Sequence, residues 1–165
     1  MKRLILVRHA KSSWKHKNVQ DIDRPLNKRG ERDAPEMGKR LAGRSVVVDL
    51  ILTSPAVRAQ RTAELIALEL QCVEAVQPAE ELYNASAWEI LDVIRHVEDS
   101  KENVMIFGHN PGMTDLANDL SAMAIEKLPT CGIVELNYDI FSWKEIATKK
   151  PEAFGLDYPK RKQKT

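Results

Sequence analysis

The chain carries three short runs of consecutive apolar residues, at 4–7, at 46–48 together with 50–52, and at 104–107. Within each run the apolar side chains are continuous and do not alternate with polar ones. This pattern predicts strands that are buried on both faces. Strands of this kind are typical of a parallel sheet.

Segments with helical spacing accompany these runs, at 31–41, 56–70 and 87–97. The third segment has one apolar face, formed by Ile90, Leu91, Ile94 and Val97. Because strands alternate with helices along the chain, the pattern predicts an α/β layered fold. Farther along, 133–138 predicts another strand, and 141–146 predicts a strand or a short helix.

The length and composition suit one globular domain. The chain has 165 residues, of which 43% are hydrophobic, so it can bury a sizeable core without disulfides or a metal. We find no internal repeat or low-complexity linker and interpret 1–158 as a single domain. The basic segment 159–165 follows it, and we expect this tail to be solvated and disordered.

The overall charge indicates no partner that binds through a broad electrostatic field. The 25 basic and 24 acidic side chains give a net charge of +1, so we expect neither nucleic acid nor a membrane as a partner. The apolar run at 4–7 is too short for a secretory or membrane-spanning segment. Cys72 and Cys131 match no zinc or redox pattern, which favours buried thiols and a cytoplasmic location. Any anion specificity must therefore be local.

Polar residues that can bind phosphate follow each predicted strand. Arg8 and His9 come after the first strand, Ser54 and Arg58 after the second, and His109 after the third. A lone histidine after a strand is more often a structural residue. Here, however, two of the four histidines in the chain directly follow apolar strands, at the sheet edge where ligands of α/β proteins bind. This coincidence predicts a functional site.

The predicted helix starts strengthen the expectation of an anion site. Ser54 and Pro55 are predicted as the N-cap and first position of one helix, and Asn110 and Pro111 as those of another that runs to 120. Arg58 then lies one turn into the first helix. Helix N-termini attract anions, and arginine binds two phosphoryl oxygens at once. We therefore expect a site for a dianionic phosphoryl group, and no metal, because arginines would repel a cation.

These motifs carry a resemblance to a known family. Arg8-His9-Ala10, the segment 54–59 with Thr62, and the segment 108–111 resemble the histidine phosphatase superfamily, which includes the phosphoglycerate mutases. The short length and the segments 23–26, 28–30 and 82–83 look like its SixA-type phosphohistidine phosphatase branch. The resemblance extends from 2 to about 138. It implies a phosphoglycerate mutase-like, three-layer α/β sandwich with a mostly parallel central sheet, helices on both faces and no cofactor.

The resemblance also implies roles for individual residues. His9 would accept the phosphoryl group, Arg8 and Arg58 would bind its oxygens, and His109 would stabilise the group in transfer. Candidates for binding the substrate are Arg24, which could equally form a loop salt bridge, and Asn110. For attack on phosphorus, one nitrogen of His9 must be unprotonated, and we expect the other ring nitrogen to donate to a carbonyl group.

The chain departs from the superfamily pattern in two places. Ala10 stands where glycine is usual, which is tolerable if its backbone is in an ordinary region. Many relatives carry a carboxylate general acid in the segment that matches 80–84. Glu81 is one candidate for this acid, although an alignment on Leu82 would place Asn84 there instead. The sequence leaves the acid open.

These observations predict a phosphatase that transfers a phosphoryl group to His9 and then to water. The expected substrate is phosphohistidine in a partner protein, such as a histidine phosphotransfer-type domain. The alternatives are a small-molecule phosphomonoesterase or mutase of the same superfamily, and a non-catalytic phosphate-binding module. The presence of both histidines and both arginines argues against the last alternative.

Overall fold

A six-stranded mixed sheet organises the computed structural model, which describes residues 1–163. Its strands are β1 (Lys2–Arg8), β2 (Leu50–Thr53), β3 (Val76–Pro78), β4 (Asn103–Gly108), β5 (Ile133–Tyr138) and β6 (Ala153–Asp157). The strand order across the sheet is β3-β2-β4-β1-β5-β6. The pairs β3–β2, β2–β4 and β4–β1 are parallel, whereas β5 and β6 add antiparallel pairs at one edge.

Helices cover both faces of this sheet. They are α1 (Lys28–Gly43), α2 (Val57–Glu69), α3 (Ala87–Arg95) and α4 (Gly112–Leu120), and short 3-10 turns occupy Asp21–Asp23, Val73–Ala75, Glu80–Leu82 and Trp143–Glu145. In β1, Leu4 and Leu6 pack in a core with residues of α3 and α4. Ile5 and Val7 point to the opposite face and pack in a second core with residues of α1 and α2. The predicted three-layer α/β sandwich is therefore confirmed.

The register of the central strands brings the candidate residues to one edge. Arg8 pairs with Gly108 across β1 and β4, and Thr53 pairs with Phe107 across β2 and β4. The three strands thus end at the same level. The next residues continue the pairing, since the His9 amide donates to the Gly108 carbonyl at 3.1 Å and the Ser54 amide to the Phe107 carbonyl at 3.0 Å.

Two local expectations had different outcomes, and two strands were missed. The prediction of a strand at 46–48 was wrong: this segment is irregular, with Val46 buried and Val47 exposed. The short-helix alternative for 141–146 was right, because that segment contains the 3-10 turn Trp143–Glu145. The strands β3 and β6 were not predicted. Both are short and largely exposed, so they lack the continuous apolar run that marks a buried strand.

The basic tail begins beside α1. The Arg40 guanidinium donates to the backbone carbonyls of Tyr158 and Pro159, both at 2.9 Å. Residues 164 and 165 lie outside the described part of the chain, and disorder of 159–165 stays a prediction. Within residues 1–163, no helix has both the length and the apolar character needed to cross a membrane.

Candidate active site

His9 lies directly after β1 and is held in one tautomer. Its side chain is buried, and Nδ1 lies 2.7 Å from the backbone carbonyl oxygen of Ala10. Because a carbonyl oxygen can only accept, Nδ1 carries the proton and donates it. The lone pair of the neutral ring is then on Nε2. This contact confirms the expectation that one nitrogen of His9 would donate to a carbonyl group.

The surroundings of His9 keep the ring neutral. Burial is the main cause that lowers the pKa of His9, and the charges of Arg58 and Arg8 act in the same direction. The hydrogen bond to Ala10 opposes them, and the resulting pKa is about 3. The neutral imidazole is the form with a free electron pair. His9 therefore has the protonation state of a nucleophile at neutral pH.

His109 follows β4 and lies close to His9. The two ring centroids are 5.2 Å apart. The Nε2 atom of His109 is 2.7 Å from the hydroxyl oxygen of Ser54, and its Nδ1 atom is 3.5 Å from Nη2 of Arg58. Burial lowers the pKa of His109 to about 4, with a smaller contribution from the charge of Arg58. Like His9, it is neutral at pH 7.

The start of α2 differs from the sequence-based expectation. The helix begins at Val57 with Ala56 as its N-cap, so the prediction of Ser54 as the N-cap was wrong. The Ser54 hydroxyl accepts a hydrogen bond from the Ala56 amide at 3.2 Å and contacts His109 instead. Ser54 thus orients an imidazole of the site, and Arg58 still lies in the first turn of the helix.

A network centred on Asp21 holds the Arg58 guanidinium. Nη1 of Arg58 donates to the backbone carbonyl of Asp21 at 2.6 Å, and Nη2 donates to the Asp21 carboxylate at 3.0 Å. The same carboxylate accepts from Nε of Arg24 at 3.1 Å and from the hydroxyl of Tyr83 at 2.5 Å. The Tyr83 hydrogen bond, followed by those from Arg24 and Arg58, lowers the pKa of Asp21 to about 2. Asp21 is therefore an ionised counter-charge between two arginines.

Arg24 forms the loop salt bridge that the sequence allowed and also lies in the wall of the pocket, while its role in binding the substrate stays a prediction. The salt-bridge partner is Asp21, and the cavity is the one that His9 lines. Nη1 of Arg24 donates to the Ser12 hydroxyl at 2.8 Å and to the Ser13 carbonyl at 3.2 Å. On one side its guanidinium carbon lies 3.6 Å from the centroid of the Trp14 ring. Arg24 is thus a fixed cation of the pocket wall.

Arg8 and Asn110 share one hydrogen-bond acceptor, the backbone carbonyl of Leu128. Nη1 of Arg8 and Nδ2 of Asn110 both donate to the carbonyl of Leu128, at 3.0 Å and 2.9 Å. The Asn110 carbonyl oxygen accepts from the Thr114 hydroxyl at 2.8 Å. The helix α4 begins at Gly112 with Pro111 as its N-cap, one residue later than predicted. The Asn110 side chain nevertheless ties this helix to the pocket.

The cavity at this edge has a volume of about 210 Å³ and brings most of the predicted residues together. It is lined by Arg8, His9, Lys11, Ser12, Trp14, Arg24, Arg58, Asn84, His109, Asn110 and Thr130. None of these lining residues carries a carboxylate. Four of them are arginine or lysine, so the pocket has the charge expected of a phosphoryl-binding site.

Glu81 lies outside this pocket. It is exposed on the 3-10 turn Glu80–Leu82 and is not among the lining residues. Asn84 occupies the pocket wall instead, in a left-handed backbone conformation with a φ of 51°. The structure thus places Asn84, and not Glu81, in the wall of the pocket. Gly112 helps to position this wall, because a Cβ atom there would lie 2.1 Å from the carbonyl oxygen of Ala85.

The unusual residue of the first motif fits its position. Ala10 is fully buried and is not one of the residues with a positive φ in the described chain, so the condition for tolerating alanine is met. Its amide donates to the Thr62 hydroxyl at 3.0 Å, and that hydroxyl donates to the Arg58 carbonyl at 2.7 Å. Thr62 thus connects the end of β1 to the start of α2.

Several residues of the site had no clear signal in the sequence. Asp21 and Trp14 lie in the loop between β1 and α1, where no hydrophobic period marks a position. The sequence offered one indirect clue to a residue such as Asp21. Arginines that gather in a buried pocket need a negatively charged partner nearby. Among residues 1–163, no group of three or more His, Cys, Asp or Glu side chains is arranged to hold a metal ion.

Comparison with protein families and relatives places this site in a known context. The model of the histidine phosphatase superfamily (branch 1) matches residues 4–113. An uncharacterized chloroplastic protein of Arabidopsis thaliana is 33% identical over 170 residues, which span 96% of this chain and 73% of that protein. An uncharacterized protein of Mycobacterium tuberculosis is 32% identical over 164 residues, which span 93% of this chain and all of that protein.

The fold also matches a solved structure. The crystal structure of a candidate phosphohistidine phosphatase SixA from Agrobacterium tumefaciens superposes with a TM-score of 0.74 at 30% sequence identity. The match covers 82% of this chain and 90% of that one. The resemblance predicted from the motifs is thereby confirmed.

Proposed function

Because this chain belongs to the histidine phosphatase superfamily, we propose that it is a phosphatase that removes phosphoryl groups from phosphohistidine in a partner protein. The partner we propose is a histidine phosphotransfer-type domain. Membership of the superfamily supports phosphatase or mutase activity. The proposal of phosphohistidine as the substrate rests on which residues line the pocket.

The proposed reaction has two displacement steps. Nε2 of His9 forms a bond to phosphorus, and the bond from phosphorus to the imidazole of the substrate breaks. Water then attacks the phosphoryl-His9 intermediate, which releases inorganic phosphate, a proton and free His9. Arg8 and Arg58 stabilise the equatorial oxygens of phosphorus in both steps, the largest contribution in phosphoryl transfer.

The lack of a carboxylate among the pocket-lining residues carries the choice of substrate. An alkyl phosphate ester leaves as an alkoxide, which needs a proton from a general acid. Asp21 is the carboxylate bonded to Arg58, but its pKa of about 2 leaves it ionised at neutral pH. A phosphoimidazole protonated on its second nitrogen leaves as neutral imidazole and needs no such acid. The pocket therefore favours the phosphohistidine bond.

The rim of the pocket supports access for a side chain presented by another protein. Trp14 and Asn84 both line the cavity and are exposed, whereas His9 and His109 at its base are buried. A substrate side chain can thus enter from solvent and meet the nucleophile at depth. This arrangement suits a phosphorylated histidine on a protein surface.

The test compares kcat/KM for a phosphohistidine peptide, a phosphoserine peptide and 3-phosphoglycerate. We expect the phosphohistidine peptide to be hydrolysed much faster than either ester. His9→Ala should abolish turnover, and His96→Ala is the matched control, because His96 is exposed on the protein surface at the end of α3. Equal or faster hydrolysis of the esters would refute the proposal and favour a small-molecule phosphomonoesterase.

A further inference from the structure

Trp14 is a large aromatic residue held at the mouth of the phosphoryl pocket. Its side chain lines the cavity that contains His9 and Arg58, yet 74% of the residue is exposed. Single exposed apolar residues are common on protein surfaces and need no explanation by themselves. Trp88, which is 64% exposed and lies outside the cavity, is a residue of that ordinary kind.

The position of Trp14 is fixed from one side. The Arg24 guanidinium lies 3.6 Å from the ring centroid, a favourable cation–π distance. Arg24 is itself buried and immobilised by its bonds to Ser12, Ser13 and Asp21. One face of the indole therefore rests on a rigid support. Since most of the residue is exposed, the other face is open to solvent at the pocket mouth.

The proposed mechanism assigns Arg8 and Arg58 to the phosphoryl group and assigns no residue to the leaving group. An open indole face beside the phosphoryl site is complementary to a planar aromatic ring, because such rings pair by offset or edge-to-face stacking. The imidazole of phosphohistidine is a ring of this type. Because this imidazole is bonded directly to phosphorus, it must lie beside the phosphoryl group in the bound substrate.

We infer that Trp14 is a specificity-determining residue that stacks against the imidazole of the phosphohistidine substrate. This inference rests on the proposed function and names the residue that recognises the leaving group. Arg24 holds the indole in place, and the indole in turn selects substrates whose leaving group is a flat ring.

The experiment measures kcat/KM for two substrates that both contain a phosphorus–nitrogen bond. One is a phosphohistidine peptide, and the other is phosphoramidate, whose leaving group has no ring. The ratio of the two values is the readout. Trp14→Ala should lower this ratio about 2- to 12-fold, the range expected for the loss of one aromatic pair. Trp14→Phe should restore most of the ratio, and Trp88→Ala should leave it at the wild-type value.

The outcomes separate this inference from the proposed function. If Trp14→Ala lowers both activities equally, so that the ratio is unchanged, Trp14 only supports Arg24 and the inference is overturned while the proposed function stands. If Trp14→Phe fails to restore the ratio lost in Trp14→Ala, stacking is likewise overturned. If the wild-type enzyme does not hydrolyse the phosphohistidine peptide, the proposed function fails and this inference fails with it.

Discussion

Replacing Arg58 with alanine is the most informative single change in the proposed phosphoryl-binding pocket. Arg58 is 4% exposed and its two terminal nitrogens bind Asp21, which fixes the guanidinium before any substrate arrives. A charge held in this way stabilises the transferring phosphoryl group without reorganisation. Arg58→Ala removes that charge. The Asp21 carboxylate then lacks one of its positive partners and repels an incoming anion more strongly.

The expected loss follows from the preorganised charge. Removal of one such group costs about 2 to 4 kcal/mol of transition-state stabilisation, equivalent to roughly 30- to 900-fold in kcat. Steady-state kinetics with a phosphohistidine peptide measure this loss, and a vanadate titration measures anion affinity independently of turnover. The pKa of His109 should also rise in the variant, because the charge of Arg58 contributes to its depression. An NMR titration of the His109 ring reports that rise.

A matched control lies three residues farther along α2. Arg61 is exposed and forms a bidentate salt bridge with Glu31, outside the pocket. Arg61→Ala should therefore leave kcat and vanadate affinity close to the wild-type values, because Arg61 does not line the pocket. Unchanged vanadate affinity in Arg58→Ala would remove Arg58 from the phosphate site and refute the reasoning.

Two further predictions concern stability. The pKa values of buried His9 and His109 lie near 3 and 4, below the unfolded value of about 6.5, so the unfolded chain binds more protons and stability falls as the pH drops below about 6.5. The free energy of unfolding measured with urea should be lower at pH 5 than at pH 7, by about 2 kcal/mol for each histidine. Equal free energies at the two pH values would contradict the buried neutral state of these histidines. Asp21→Asn should lower the free energy of unfolding at pH 7 by about 1 kcal/mol, a figure reduced because the carboxylate is partly exposed. If Asp21→Asn has the same free energy of unfolding as the wild type in this experiment, the hydrogen bonds to the Asp21 carboxylate do not stabilise the fold.

The parts of the fold that could be predicted from the sequence are those with both faces buried. In β1 and β4 the side chains on each face of the sheet pack in a core, so the apolar run is continuous and marks the strand. The register that aligns Arg8 with Gly108 then brings the strand-end residues together. The convergence of His9, Arg58 and His109 was therefore predictable, because each follows a buried strand and the carboxyl ends of parallel strands meet at one edge of the sheet.

The remaining details depend on partners that are distant in sequence. The Ser54 hydroxyl contacts His109, 55 positions away, and no local capping rule could reveal this preference. The network of Asp21 likewise joins Tyr83, 62 positions away. The segment 46–48 shows a different error, in which a predicted element is absent. Its apolar run predicted a buried strand, but Val47 is exposed. Local pattern located the elements, whereas tertiary contacts decided the use of individual side chains.

In the proposed reaction, His9 carries the phosphoryl group during turnover. The most direct test mixes the enzyme with a phosphohistidine peptide labelled with ³²P, quenches the reaction within milliseconds in alkali and maps the label by mass spectrometry. We expect an acid-labile, alkali-stable phosphoryl group on His9, which is absent from His9→Ala and present in His96→Ala. Rapid turnover without a phosphoenzyme, or label on a residue other than His9, would contradict it.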